Sequence, residues 1–301
     1  MAEVIRQNQA SQETVVDYGR PSPIEEFSNR KFIHPLSDIV VLLGLRWRIS
    51  ANVVSLLGLF CGLGAAAAYF QTSNQTFVAI GFLLMLSWHI FDGADGRLAR
   101  ATGTSSAFGR IIDGICDHLV YVAVYVSLAV SLMASGYSAG IWWLVVGAGV
   151  SHAVQAAGYE ERRQKYQRRC AGLDRADATA NVLDVNGRRS VLATLYDGAQ
   201  KIVAGGDYGL DEQLARLRKG RTNQLLADLI LESSIPMVKA WSLLNANNRT
   251  ALIFIFCLVG EPQFYFAFEL IVLNFVLLAL LFAEWRFEKK LVNSINMSDA
   301  L

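Results

Sequence analysis

Read as a pattern of polar and apolar positions, the chain is divided by two long stretches that hold no Asp, Glu, Lys or Arg. The first runs for 43 residues between Arg48 and Asp92, and the second for 42 residues from His118 to Tyr159. A helix needs roughly 20 apolar residues to cross a bilayer. Each stretch therefore predicts two membrane spans, broken at the uncharged polar segments Gln71–Thr76 and Ala134–Gly140. Toward the C-terminus, Ala251–Gly260 and Phe264–Ala283 are apolar again, and the Gly and Pro of GEPQ mark the turn between them. The pattern predicts an all-α integral membrane protein with six transmembrane helices in three hairpins.

Two flanking regions are not spans. Residues 22–48 mix apolar side chains with Arg30, Lys31, Arg46, Trp47 and Arg48, the pattern of a helix lying in the membrane interface. Residues 160–232 form a charged insert with thirteen basic and eleven acidic residues, read as a small helical cytoplasmic element. Its ERRQKYQRR run reads as a solvated helix facing lipid headgroups. The expected organisation is an N-terminal arm and interfacial helix (1–48), four spans (49–159), the insert (160–232), two further spans (233–285) and a tail (286–301). The loops at 71–76, 134–140 and 260–263 hold no Lys or Arg, so the positive-inside bias puts both termini in the cytoplasm. Residues 1–30 are polar and mixed in charge, unlike the apolar core of a secretion signal.

Composition agrees with a lipid environment: 53% of the 301 residues are hydrophobic and 18% are charged. The net charge of +1 excludes a protein whose main business is electrostatic adhesion to nucleic acid. Cys61, Cys116, Cys170 and Cys257 stand alone, without a CxxC pair or a zinc-binding spacing.

One segment breaks the apolar pattern with several carboxylates at once. On a helix, Asp92, Asp95, Gly96 and Ala99 share one stripe, and on the next helix so do Gly109, Asp113 and Asp117. Two antiparallel helices joined by a short turn can thus turn four carboxylates toward one another. Such a cluster in an apolar setting is costly, and divalent cations held by oxygen ligands would relieve it, with Mg²⁺, Mn²⁺ or Ca²⁺ better suited than Zn²⁺. Small residues at Gly96, Ala99 and Gly109 leave a groove for a flat ring such as a nucleobase.

The spacing D-x2-D-G-x2-A-R-x8-G-x3-D-x3-D, filled by Asp92, Asp95, Gly96, Ala99, Arg100, Gly109, Asp113 and Asp117, resembles the signature of the CDP-alcohol phosphotransferase family. Members often carry Pro-Asn-x-x-Thr before the first span; here Ala51-Asn52-Val53-Val54-Ser55 keeps the Asn and replaces Pro and Thr. The resemblance implies a phospholipid-synthesising transferase in which an alcohol attacks a CDP-activated phosphate and CMP leaves. It implies a pair of Mg²⁺ or Mn²⁺ ions on Asp92, Asp95, Asp113 and Asp117, with Asp117 also the general base. Asn52, Gly96, Ala99, Arg100 and Gly109 would form the nucleotide pocket, although Arg100 also reads as a positive-inside anchor. The expected partners are a CDP-linked lipid, a small polar alcohol, the bilayer of a bacterial-type inner membrane and a second copy in a homodimer. A soluble CDP-aminoalcohol donor with a lipid acceptor is the runner-up, and a divalent-cation transporter is the reading from another class.

Further residues stay open. Arg249 either anchors a helix end or binds a phosphate on the acceptor. Glu269 lies within the last span and needs a partner, which Arg249 or Lys239 could supply. His89, His118 and His152 read as packing or interfacial residues.

Overall fold

The computed structural model describes residues 22–105, 107–172, 209–218 and 224–298, with side chains left undescribed at 22, 107–115, 297 and 298. The described residues form helices and no strands. We name them α1 (His34–Trp47), α2 (Ala51–Tyr69), α3 (Gln75–Ala101), α4 (Ala107–Ala134), α5 (Ile141–Ala171), α6 (Leu210–Arg218), α7 (Gln224–Trp241), α8 (Ala246–Leu258), α9 (Pro262–Phe268) and α10 (Asn274–Ser298). Wide π-helical turns lead into α1 (Asn29–Ile33) and α10 (Glu269–Leu273).

The turns fall in the polar breaks of the sequence. α2 stops at Tyr69 and α3 starts at Gln75, with the Asn74 side chain capping the new helix through the Thr76 amide at 2.9 Å. α4 ends at Ala134 and α5 begins at Ile141, on either side of the ASGYSAG segment. Gly260 at φ +83° ends the turn after α8, where a side chain would be strained.

Five helical stretches are long and apolar enough to cross a membrane: Ala51–Tyr69, Gln75–Ala101, Cys116–Ala134, Ile141–Ala171 and Pro262–Asn296. The chain is a membrane protein. Among the described residues the expected sixth span does not reach that length, because the apolar stretch from Ala251 is carried by α8, a helix of 13 residues that ends at Leu258. At 1.5 Å per residue α8 is about 20 Å long, short of a hydrocarbon core of about 30 Å. Its first turn carries the polar Asn247, Asn248 and Arg249, and Asn245 caps it through the Asn248 amide at 2.8 Å.

α2 packs along both α3 and α4, while α3 also receives α1 and α8. Close approach depends on small residues. A Cβ on Gly62 of α2 would stand 2.5 Å from Val120 of α4, and one on Gly93 of α3 would stand 2.8 Å from Ser37 Oγ of α1. Ser37 donates to the Ile90 carbonyl at 2.8 Å, and Asp38 pairs with Arg97 at 2.5 Å, so α1 is fastened to the motif-bearing helix. Its other side leaves Ile39, Leu42 and Trp47 exposed. The outside of the bundle is likewise apolar, at Leu83, Trp143, Phe275 and Leu278 among others, which is the chemistry of a surface facing lipid.

The expected boundaries at 160 and 232 both fall inside continuous helices. α5 runs through 160 to Ala171, and α7 runs through 232 to Trp241. The charged end of α5 is matched by α10: Arg162 pairs with Glu284 at 2.9 Å, and Lys165 and Arg169 pair with Glu288 at 2.9 and 2.8 Å. Leu210, Leu214 and Leu217 of α6 close a small apolar cluster with α7 and Ile295. Of the insert, 173–208 and 219–223 lie outside the described residues.

Candidate functional site

α3 is an uninterrupted helix through Ala101, so Asp92, Asp95, Gly96 and Ala99 do share one face, as their spacing predicts. Asp95 is buried, and Asp92 lies near enough to repel it electrostatically, while Arg100 attracts it. Ser55 of α2 donates a short hydrogen bond to Asp95 Oδ2. That hydroxyl holds the carboxylate in one orientation, and it occupies the position where the family pattern carries Thr. Sequence reasoning left Ser55 outside the site; the retained hydroxyl was the signal that could have found it. Asn52, one turn earlier on α2, is exposed.

On α4, Gly109, Asp113 and Asp117 follow at helical spacing in one continuous helix. Asp117 is half-buried and acts electrostatically on Tyr121 one turn further on; the side chains of Asp113 and residue 109 lie outside the described ones. Among the described side chains, a Cβ added at Gly96 would meet the tip of Arg100, at 3.4 Å. Arg97, between the two halves of the α3 stripe, turns away to Asp38 of α1.

The donor set suits a hard divalent cation, since it consists of carboxylate and hydroxyl oxygens. Among the described residues no three His, Cys, Asp or Glu side chains gather around one point. Asp113, the remaining member of the quartet, is not among them.

These features lie inside a stretch that matches a known family. Residues 48–180 match the family described as CDP-alcohol phosphatidyltransferase. The chain is 27% identical over 126 residues to a phosphatidylinositol phosphate synthase of Mycobacteroides abscessus, covering 42% of this chain and 49% of that protein. It is 25% identical over 125 residues to an uncharacterized CDP-alcohol phosphatidyltransferase class-I family protein of Dictyostelium discoideum, covering 39% and 29%. An uncharacterized protein of Aquifex aeolicus is 29% identical over 97 residues, covering 32% and 47%. The chain thus spans about half or less of the length of these relatives.

Arg249 stands apart from the aspartates. It is buried, and its guanidinium donates to Gln155 at 2.7 Å, to Glu269 at 3.3 and 3.4 Å, and to the carbonyls of Leu244 and Asn245. Of the two partners the sequence offered Glu269, Arg249 is the one in place. Glu269 also accepts from Tyr265 at 3.1 Å, and Tyr265 meets Tyr125 and, through it, His152. His89 and His152 are both buried and hydrogen-bonded within the bundle, as packing residues would be.

Proposed function

We propose that the protein synthesises a phospholipid by moving a phosphatidyl group from CDP-diacylglycerol to a small polar alcohol, releasing CMP. The observation that carries this reading is the Asp92–Asp95 face of α3, with Asp95 held by Ser55, within the region that matches the family. The family match and the mycobacterial relative's name support a CDP-lipid donor.

In this reading Gly96, Ala99 and Gly109 make room for the cytidine, and Arg100 meets its phosphates. A pair of Mg²⁺ or Mn²⁺ ions bound by Asp92, Asp95, Asp113 and Asp117 supplies charge neutralisation at the pyrophosphate. Asp117 takes the proton of the acceptor hydroxyl. The freed oxygen bonds to the phosphorus that carries the lipid, and the bond from that phosphorus to CMP breaks. The Lys- and Arg-free turns lie at one end of the hairpins and the aspartates at the other, so the site faces the cytoplasm with both termini. A homodimer in a bacterial-type inner membrane completes the proposal. Arg249, buried and bonded to Glu269, Gln155 and two backbone carbonyls, is assigned to holding the bundle rather than to the acceptor.

The test is CMP release by the purified full chain in lipid nanodiscs, with Mg²⁺ or Mn²⁺, from CDP-diacylglycerol against a panel of alcohols. Inositol phosphate comes first, given the product named by the mycobacterial relative, followed by glycerol 3-phosphate, inositol, serine and choline. Release with one acceptor supports the reading. Silence with all of them, together with turnover of CDP-choline and diacylglycerol, would replace it with the aminoalcohol reaction. Metal-driven uptake of Mn²⁺ into sealed vesicles without CMP release would replace it with transport.

A further inference from the structure

We infer that Thr250 is a positioning residue whose hydroxyl sets the spacing between the two helices that carry the catalytic aspartates; this rests on the function proposed above. Thr250 belongs to α8, which holds no motif residue. It is buried, and its Oγ1 lies 2.9 Å from His89 Nε2 and 3.1 Å from Tyr121 Oη. His89 sits on α3 three residues before Asp92, and Tyr121 sits on α4 four residues after Asp117. One hydroxyl thus ties the turn beneath Asp92 to the turn beneath Asp117.

The protons of this contact can be assigned. Tyr121 Oη donates its hydrogen to the Ala246 carbonyl at 2.7 Å, so toward Thr250 it can act only as acceptor. Thr250 therefore donates to Tyr121, and its oxygen accepts from the Nε2–H of His89. Each hydroxyl hydrogen has one destination, and reversing either bond would leave an oxygen facing an oxygen without a proton. The arrangement is directional as well as close-packed.

α2 packs against both α3 and α4, and among the described side chains the Trp88 ring of α3 meets the Tyr121 ring of α4 edge to face at 5.5 Å. α8 packs on α3, and the Thr250 and Ala246 bonds to Tyr121 extend its hold to α4. Buried polar atoms require partners in any core. The positions of these partners, one turn from a motif aspartate on each helix, are what connect the tie to the reaction.

The experiment compares Thr250→Val, which keeps the shape and removes the hydroxyl, with Thr250→Ser, which keeps the hydroxyl. Three properties of the full chain are measured: kcat and KM for CMP release, Mn²⁺ affinity by electron paramagnetic resonance, and the distance between spin labels at Ala101 and Leu119 with the native cysteines replaced. Loss of a group that orients metal ligands typically costs about 10–100-fold in affinity or activity. The expected result is a fall of that size in kcat and Mn²⁺ affinity for Thr250→Val, an unchanged KM for the CDP-lipid, a broadened α3–α4 distance distribution, and recovery of all three in Thr250→Ser. If Thr250→Val does not accumulate, Tyr121→Phe carries the same expectation. Wild-type kcat and an unchanged distance in Thr250→Val, or a Thr250→Ser as impaired as Thr250→Val, would overturn the inference. A wild-type chain that releases no CMP would instead sink the proposed function, and the distance measurement would still decide the role of Thr250.

Discussion

Two groups of carboxylates inside the same bundle have different surroundings. Glu269 is buried at the start of the wide turn into α10, and the fold supplies its countercharge from within through Arg249, with Tyr265 as a further donor. The motif places Asp92 and Asp95 on α3 and Asp113 and Asp117 on α4, while Arg97, a cation of the same segment, is directed out to Asp38. A buried carboxylate with a fixed cation is finished chemistry, and removing its partner leaves an uncompensated charge. On the function proposed above, the motif carboxylates instead receive their countercharge from bound metal ions, so the contrast separates a residue that holds the bundle from residues proposed to work in it.

The largest effect expected from this contrast lies at the motif. Asp117→Asn removes the proposed general base and should lower CMP release by about 10²–10⁴-fold, with Asp113→Asn at least as severe, while both proteins remain folded in the membrane. Full activity in either would erase the distinction. Next comes the structural pair. Arg249→Met strands Glu269 and should destabilise the protein by about 3–5 kcal/mol, measured by thermal unfolding in detergent. Adding Glu269→Gln should recover much of that loss. In the double variant the acceptor KM should stay at the wild-type value; a raised KM for a phosphorylated acceptor alone would return Arg249 to the active site.

The smallest effect concerns a carboxylate outside the membrane. Burial would raise the Asp211 pKa, but the Arg169 guanidinium at 2.5 Å together with Lys165 and Arg168 outweighs it, and the net direction is downward. A carboxyl whose folded value is depressed contributes its stability in full above the ordinary value of about 3.9, and loses it as pH falls through the lowered folded value. Hydrogen exchange of α6, corrected for intrinsic rates, should therefore hold steady from pH 7 to 5 and rise at lower pH. Asp211→Asn should remove that rise. An α6 whose exchange ignores the substitution would show that Leu210, Leu214 and Leu217 hold it unaided.

Much of the architecture was legible because it depends on local composition. The breaks at Gln71–Thr76, Ala134–Gly140 and GEPQ mark turns wherever the helices pack, and the two Asp stripes follow from helical period alone. What escaped the sequence depends on partners remote along the chain. The charged run after Tyr159 reads as the start of a separate insert, yet it continues α5, because Glu284 and Glu288 of α10 neutralise Arg162, Lys165 and Arg169. Ala251–Gly260 reads as a span by hydropathy, yet the helix that carries its first eight residues has Asn247, Asn248 and Arg249 in its first turn and stops at Leu258. Ser55 and Thr250 are ordinary apolar-helix hydroxyls in the sequence. Only the folded chain shows one against Asp95 and the other between His89 and Tyr121.

α5 is one helix from Ile141 to Ala171, about 46 Å of unbroken rise. One of its faces meets α10 and the turn before it throughout: Gln155 bonds Asn274 and the Glu269 carbonyl deep in the bundle, and Arg162 and Arg169 bond Glu284 and Glu288 beyond it. α5 therefore joins the charged contact of Arg169 with Glu288 and the buried contact of Gln155 with Arg249 through a single hydrogen-bonded backbone, without a loop between them.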